Sequence, residues 1–88
     1  MSDKPKVVIY TGAFCAYCTG AKNLLARKGV AFEELRVDKD RELRAEMERR
    51  SRRSTVPQIF IGDHHVGGFD DMAELDMNGE LDRLLGLE

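Results

Sequence analysis

Residues 6–18 read KVVIYTGAFCAYC, a pattern that predicts a buried strand followed directly by the start of a helix. The run at 6–11 is rich in β-branched residues, and Gly12 ends it. Beyond it, apolar residues recur at helical spacing, and Lys28-Gly29 supplies a cationic last turn and a stop signal. We therefore predict a helix over 15–28 that begins at the two cysteines. The apolar positions of this helix are Cys18, Ala21, Leu24 and Leu25.

The remaining chain continues the alternation of strands and helices. Because a strand, a helix and a strand within about thirty residues form a right-handed parallel unit, the first half should build a parallel pair. The later strands flank a Gly62-Asp63 turn and should pair antiparallel. We expect an α/β fold in the order βαβαββα, with a four-stranded mixed sheet flanked by helices. The predicted elements are a strand at 30–37, a charged helix at 39–53, strands at 56–61 and 65–67, and a closing helical region, capped by Asp70 or Asp71, that runs to Leu85.

Length and charge restrict the class of protein. The 88 residues suit a single domain over 1–88, and no stretch resembles a signal peptide or a membrane span, so we expect a cytoplasmic protein with no membrane partner. A net charge of −2 argues against nucleic acid as a partner. The charge is uneven, because residues 1–62 carry 13 basic and 8 acidic side chains while 63–88 carry 1 and 8. The two ends of a zwitterionic ligand could each pair with side chains of the opposite charge.

The cysteines are Cys15 and Cys18, which are too few for a disulfide-stapled scaffold or a structural zinc site. Adjacent His64 and His65 do not complete a zinc site, so we expect no metal there. A helix N-terminus favours a thiolate, and Cys-x-x-Cys pairs in such positions are nucleophiles at neutral pH. Residues three apart on a helix lie roughly 5 to 6 Å apart at Cβ, near the ~3.5 to 4.5 Å of a disulfide. We predict an exposed, attacking Cys15 and a shielded, resolving Cys18; two inert structural cysteines are the alternative.

Four segments, in order, resemble the glutaredoxin family. They are Tyr10-Thr11, the CAYC pair at 15–18, TVPQIFI at 55–61 and GGFDD at 67–71. The resemblance covers 7–85 and is greatest to the short bacterial dithiol members, the glutaredoxin 3 group. It implies a thioredoxin fold and glutathione-dependent reduction of protein–glutathione mixed disulfides and protein disulfides, with glutathione as co-substrate. The expected partners are glutathione and glutathionylated or disulfide-containing proteins, and the expected state is a monomer.

The resemblance also implies a glutathione-binding site. It predicts a cis Val56-Pro57 bond, with the Val56 backbone free to pair with the cysteinyl segment of glutathione as an added strand. Amide groups at the helix start and Asp70 would meet the γ-glutamyl carboxylate and ammonium. The ring of Tyr17 would flank the tripeptide. The full predicted set is Tyr17, Arg53, Thr55, Val56, Pro57, Gly68, Phe69, Asp70 and Asp71.

Two positions depart from the family pattern. Gly12 stands where a lysine is usual, and the available substitutes are Lys22, Arg49, Arg50, Arg52 and Arg53, of which we favour Arg53 as the carboxylate partner. Ala16 stands where dithiol members commonly have proline. Members without that proline sometimes bridge two subunits with a [2Fe-2S] cluster held by the first cysteine and glutathione, so cluster binding through Cys15 is one alternative. A thioredoxin-like protein fed by a reductase is the other, although Phe14 stands where thioredoxins carry tryptophan.

Overall fold

The computed structural model describes residues 4–87, in which four strands form one mixed sheet with helices on both faces. The strands are β1 (Val7–Thr11), β2 (Glu33–Arg36), β3 (Gln58–Ile61) and β4 (His64–Gly67), and the helices are α1 (Ala16–Arg27), α2 (Arg41–Ser51), α3 (Phe69–Met77) and α4 (Glu80–Leu84). The strand order is β2-β1-β3-β4. β1 pairs parallel with β2 and antiparallel with β3, and β3 pairs antiparallel with β4. This confirms the predicted four-stranded mixed sheet.

Alternation along β1 divides the core between the two faces of the sheet. Successive side chains of a strand point to opposite faces, so Ile9 packs with one set of helices and Tyr10 with the other. The larger cluster joins Ile9 to buried side chains of α1, α3 and α4. The smaller joins Tyr10 and Phe60 to Met47 of α2. Helix α2 is therefore attached to the sheet mainly through Met47, which is fully buried.

The closing helical region differs from the prediction, because it forms two helices instead of one. Gly79 takes a positive φ of 77° and separates α3 from α4. The apolar spacing continues across the break, with Leu81 and Leu85 buried, so periodicity alone did not reveal it. The predicted cap was also wrong, since Gly68 is the N-cap of α3. Asp71 lies in the first turn, where its Oδ2 accepts the Gly68 N–H at 2.9 Å.

The second and third strands are shorter than predicted. β2 extends over 33–36 and not 30–37, because its parallel partners on β1 are only Val8 to Thr11. β3 begins at Gln58 and not at residue 56. Pro57 has no backbone N–H and cannot donate to the sheet, which accounts for the later start.

Helix α2 is bounded by a side-chain cap and a left-handed residue. The Asp40 carboxylate accepts the N–H groups of Glu42 at 2.9 Å and Leu43 at 3.3 Å, so the helix starts at Arg41 and not at 39. Arg52, with φ at 60°, ends it before 53. The longest helix, α1, has 12 residues, and no helix within 4–87 is long and apolar enough to cross a bilayer.

Candidate active site

Cys15 is the N-cap residue of α1, immediately after the loop that leaves β1. Its backbone is extended, and its Sγ accepts the N–H of Cys18 at 3.2 Å. The Cys15 carbonyl accepts the first helical hydrogen bond, from Thr19 at 3.1 Å. The first turn of α1 contains no acidic residue, so no nearby carboxylate on that turn opposes a negative sulfur. The half-buried Cys15 thiol thus lies at the positive end of the helix, as the sequence predicted.

Cys18 lies one turn further along α1 in a different environment. Its side chain is only 2% exposed, and both cysteines are free thiols. Burial, and then the hydrogen bond with Cys15, raise the pKa of Cys18 from the ordinary 9.0 to about 11, against a lowering by the Gly12 backbone. Cys15 is half-buried and not exposed as predicted, but it is the more open of the two sulfurs to an incoming molecule, and Cys18 is shielded as predicted.

A cavity of about 260 Å³ lies beside the start of α1 and is bordered by α3 and by the loop before β3. The nine residues predicted to bind glutathione all line it, and the Val56-Pro57 bond is cis, as predicted. We call this cavity the groove. Its lining consists of Tyr17, Arg53, Thr55, Val56, Pro57, Gln58, Gly68, Phe69, Asp70 and Asp71.

Asp71 organises the charged end of the groove. Its Oδ2 accepts the Gly68 N–H at 2.9 Å and lies 3.1 Å from Nη1 of Arg53. The Gly68 N–H, and then Arg53, hold the pKa of the Asp71 carboxyl below its usual value. Gly67 has a φ of 113°, and a Cβ added there would collide with the Asp71 carboxylate. Arg53 and the exposed Asp70 place charges of opposite sign on one cavity, which suits a zwitterionic ligand.

Two aromatic residues close the side of the groove that faces α1. The rings of Tyr17 and Phe69 lie 6.2 Å apart between centroids, and Tyr17 is 62% exposed. Phe69 also packs against Gly20, where an added Cβ would meet the ring at 3.3 Å. Helices α1 and α3 thus approach each other here, so that Tyr17 lies next to both Cys15 and the groove.

Of the five candidate substitutes for the usual lysine, Arg53 lines the groove and the others do not. Lys22 lines a separate cavity of about 590 Å³, which also contains Cys15 and Cys18, and it pairs with Glu34 at 3.0 Å. Arg50 donates instead to the hydroxyl of Tyr10 at 2.8 Å. Arg49 and Arg52 are exposed and do not border the groove. The favoured candidate, Arg53, is therefore the cation of this set placed at the groove.

Gln58 is the one residue lining the groove that is not among the nine residues predicted from the sequence. It is fully buried at the first position of β3, within the otherwise apolar run VPQIFI. A polar side chain at such a position needs internal hydrogen-bond partners, because burying an amide without them is costly. That single polar residue in an apolar run was the available signal.

A further cavity, of about 390 Å³, lies away from the cysteines. It is lined mainly by apolar side chains near the start of β1 and β2, including Val7, Phe32 and Leu85, and contains no cysteine. Within 4–87 no three or more His, Cys, Asp or Glu side chains are grouped so as to hold a metal ion. The nucleophilic chemistry of the described residues is therefore concentrated around Cys15.

Comparison with known proteins agrees with this geometry. A family model for glutaredoxin matches residues 7–66. A glutaredoxin of Pseudomonas aeruginosa is 57% identical over 81 residues, which are 92% of this chain and 96% of the relative. Glutaredoxin 3 of Escherichia coli is 54% identical over 79 residues, 90% of this chain and 95% of the relative. The crystal structure of a buckwheat glutaredoxin–glutathione complex superposes with a TM-score of 0.85 at 27% identity, covering 93% of this chain and 77% of that one. The chain therefore belongs to the glutaredoxin family of thiol–disulfide oxidoreductases and has their thioredoxin fold.

Proposed function

We propose that this protein reduces protein–glutathione mixed disulfides, and some protein disulfides, with glutathione as the electron donor. The observation that carries the proposal is the groove beside Cys15, where Arg53 and Asp70 border one cavity of about 260 Å³. A relative with the same fold was solved as a complex with glutathione, which supports the choice of ligand. Recognition of the glutathione half, common to all such substrates, explains how one site serves many proteins.

In the first step the Cys15 thiolate attacks the glutathione sulfur of the mixed disulfide. A bond forms between Cys15 and that sulfur, the substrate disulfide breaks, and the protein sulfur leaves as a thiolate that takes a proton from water. A second glutathione thiolate then attacks the bound glutathione sulfur, which releases glutathione disulfide and restores the Cys15 thiolate. Over the whole cycle, the mixed disulfide and one free glutathione thiol give a protein thiol and glutathione disulfide, so one free glutathione is consumed per turnover.

Cys18 offers a second way to clear the intermediate. Its sulfur attacks Cys15, which forms a Cys15–Cys18 disulfide and releases glutathione as a thiol. Two further glutathione molecules reduce this disulfide. Because Cys18 is 2% exposed, it reaches the neighbouring Cys15 sulfur more readily than any external disulfide. We therefore assign Cys15 as the nucleophile and Cys18 as the resolving residue.

Within the groove, each end of glutathione has a partner of suitable chemistry. We assign the glycine carboxylate to Arg53, and the γ-glutamyl group to the Asp70 carboxylate and to the amides of Phe69 and Asp70 in the first turn of α3. The backbone of Val56 pairs with the cysteinyl residue in the manner of an added strand, beside Thr55 and Pro57. Tyr17 covers the ligand, and Asp71 holds Arg53 and Gly68 in place.

The test compares Cys15→Ser with Cys18→Ser in glutathione-coupled turnover of a glutathionylated peptide. We expect Cys15→Ser to abolish turnover and Cys18→Ser to retain much of it, since glutathione replaces the resolving thiol. Titration of ¹⁵N-labelled Cys15→Ser with glutathione should shift amide resonances of residues lining the groove. Equal loss in both variants would contradict the route through glutathione alone, and full turnover without Cys15 would reject the assigned nucleophile.

The alternative functions fit the site less well. A [2Fe-2S] cluster takes four ligands, and one chain offers Cys15 as its accessible thiol at this site, because Cys18 is buried. A single chain therefore supplies too few ligands, and a cluster would need the Cys15 thiols of two chains together with two glutathione thiols. A thioredoxin-like protein that receives its electrons from a reductase does not need to bind glutathione, so that function would give the groove no ligand. We propose that the chain acts as one monomeric domain in the cytosol, where the glutathione pool is reducing.

A further inference from the structure

We propose that Gln58 and His65 are positioning residues that hold the Thr55-Val56 wall of the groove through a directed chain of hydrogen bonds. The inference rests on the proposed function, because it assigns a role in binding the glutathione half of the substrate. His65 lies on β4, Gln58 at the start of β3, and Thr55 in the loop before β3. The chain of bonds thus runs from a strand at the edge of the sheet to the groove.

Gln58 uses both ends of its side-chain amide. Nε2 lies 3.1 Å from the backbone oxygen of Thr55 and 3.2 Å from its Oγ1. Oε1 lies 2.7 Å from Nε2 of His65. Because Gln58 is fully buried, no solvent replaces any of these partners when one is removed. The buried amide is therefore satisfied only while the Thr55 loop and His65 both keep their positions.

The direction of each bond follows from the chemistry of the groups. A backbone carbonyl only accepts, so the Gln58 amide nitrogen must donate to Thr55. The amide oxygen then faces His65 and also only accepts, so Nε2 of His65 must carry a proton. Both the neutral Nε2–H tautomer and the imidazolium meet this requirement. Titration of His65 therefore leaves the chain of bonds intact.

The imidazole of His65 is itself held in one orientation. It stacks on Phe60 with ring centroids 4.8 Å apart and an interplanar angle of 27°. The guanidinium of Arg50 lies 4.0 Å from the centroid of the same Phe60 ring. Burial, and then the charge of Arg53, hold the pKa of His65 below its usual value, while Asp71 acts in the opposite direction and His64 and Arg50 add smaller lowering effects. The donor nitrogen is thus presented to Gln58 by a packed ring.

The wall that this chain of bonds holds is in contact with the nucleophile. The backbone oxygen of Val56 lies 3.8 Å from Sγ of Cys15. Val56 also packs close to Gly12, where an added Cβ would meet its Cγ2 at 3.3 Å. A displacement of Thr55 would therefore move the Val56 backbone relative to both the sulfur and the bound tripeptide. The expected defect is in substrate binding, with the intrinsic reactivity of Cys15 little changed.

The experiment separates the donated hydrogen bond from the packing of the ring. His65→Phe keeps an aromatic ring against Phe60 but has no donor, whereas His65→Gln supplies an amide N–H at a similar reach. His64→Phe is the matched control, since His64 is the exposed neighbour on the same strand. For His65→Phe we expect KM for a glutathionylated peptide to rise about tenfold with kcat within about twofold. We expect His65→Gln to return KM to within about threefold, and His64→Phe to change nothing.

Two further measurements make the inference specific. The single-turnover reaction of Cys15 with 2,2′-dithiodipyridine, which has no glutathione moiety, should proceed at the wild-type rate in His65→Phe. Nitrogen-15 NMR of the wild-type protein should show His65 protonated at Nε2. If His65→Phe proves too unstable to assay, Gln58→Met removes the hydrogen bonds to both His65 and Thr55 and should raise KM by a similar factor.

Several results would overturn the inference. One is a KM for the glutathionylated peptide that stays at the wild-type value in His65→Phe or Gln58→Met. Another is a KM in His65→Gln that is no lower than in His65→Phe. A third is a rate with 2,2′-dithiodipyridine that falls in His65→Phe as much as the turnover of the glutathionylated peptide does. An Nδ1–H tautomer of neutral His65 would also reject the assigned direction of the bonds. Failure of the proposed function is distinguishable, because in that case the wild-type protein itself would not turn over the glutathionylated peptide.

Discussion

Alkylation of the reduced protein with iodoacetamide at pH 7 should modify Cys15 and leave Cys18 almost untouched. The thiolate is the species that reacts, and burial, together with the hydrogen bond to Cys15, raises the pKa of Cys18 from the ordinary 9.0 to about 11. A difference of two pKa units lowers the thiolate fraction at neutral pH about hundredfold relative to an exposed cysteine. The 2% exposure of Cys18 adds steric shielding to this effect. We therefore expect the alkylation rate of Cys18 to be at least about a hundredfold below that of an exposed peptide cysteine.

Peptide mapping by mass spectrometry over pH 7 to 11 would measure this rate. The rate at Cys18 should still be rising near pH 11. Cys15→Ala is the informative variant, because it removes the hydrogen bond that raises the pKa of Cys18 but leaves the burial. In that variant the pKa should fall yet stay above 9.0. Alkylation of Cys18 in the wild-type protein that levelled off near pH 9, or that matched alkylation of Cys15 at pH 7, would contradict this prediction.

Three further predictions concern stability and the groove. Met47→Ala removes the fully buried anchor of α2 and should lower the free energy of unfolding by about 2 to 4 kcal/mol in urea titrations, whereas Met77→Ala, at a site 87% exposed, should change it by less than about 0.5 kcal/mol. Gly67→Ala should lower both the melting temperature and the glutathione affinity measured by calorimetry, because its Cβ collides with Asp71; an unchanged affinity would contradict this. The pKa of the Asp71 carboxyl is lower in the folded state than its ordinary value of 3.8, so its stabilising contribution is present above pH 3.8 and is lost as the pH falls through the lower folded pKa. In denaturation measured as a function of pH, Asp71→Asn should therefore lose less stability on acidification than the wild-type protein does.

Those parts of the fold that depend on residues close together in the sequence were predictable from the sequence. The β-branched run before Gly12 and the helical spacing after Cys15 are local signals, and they placed both cysteines correctly at the start of α1. The resemblance then gathered residues from distant segments, and the structure brings all nine around the groove. The break at Gly79 was missed because the leucine spacing continues across it, although Asn78-Gly79 is itself a turn signal.

What the sequence did not reveal depends on contacts between strands. The partners of Gln58 are a loop residue and a histidine seven positions later, which meet only because β3 and β4 pair. The position of Lys22 is similar, since its partner Glu34 belongs to another strand and holds it away from the groove. Choosing Arg53 among five cations required the family pattern, because composition makes every arginine near α2 equivalent.

The composition of β2 also has a consequence for the behaviour of the protein at high concentration. This strand lies at one margin of the sheet, and its sequence is EELR. Glu33 forms an ion pair with Lys6, and Glu34 forms one with Lys22. A foreign strand that approached this margin would bring its backbone against a row of charged, hydrated side chains, which disfavours cross-chain sheet growth. The polar residues that make β2 a weak strand by propensity thus protect the folded protein from aggregation.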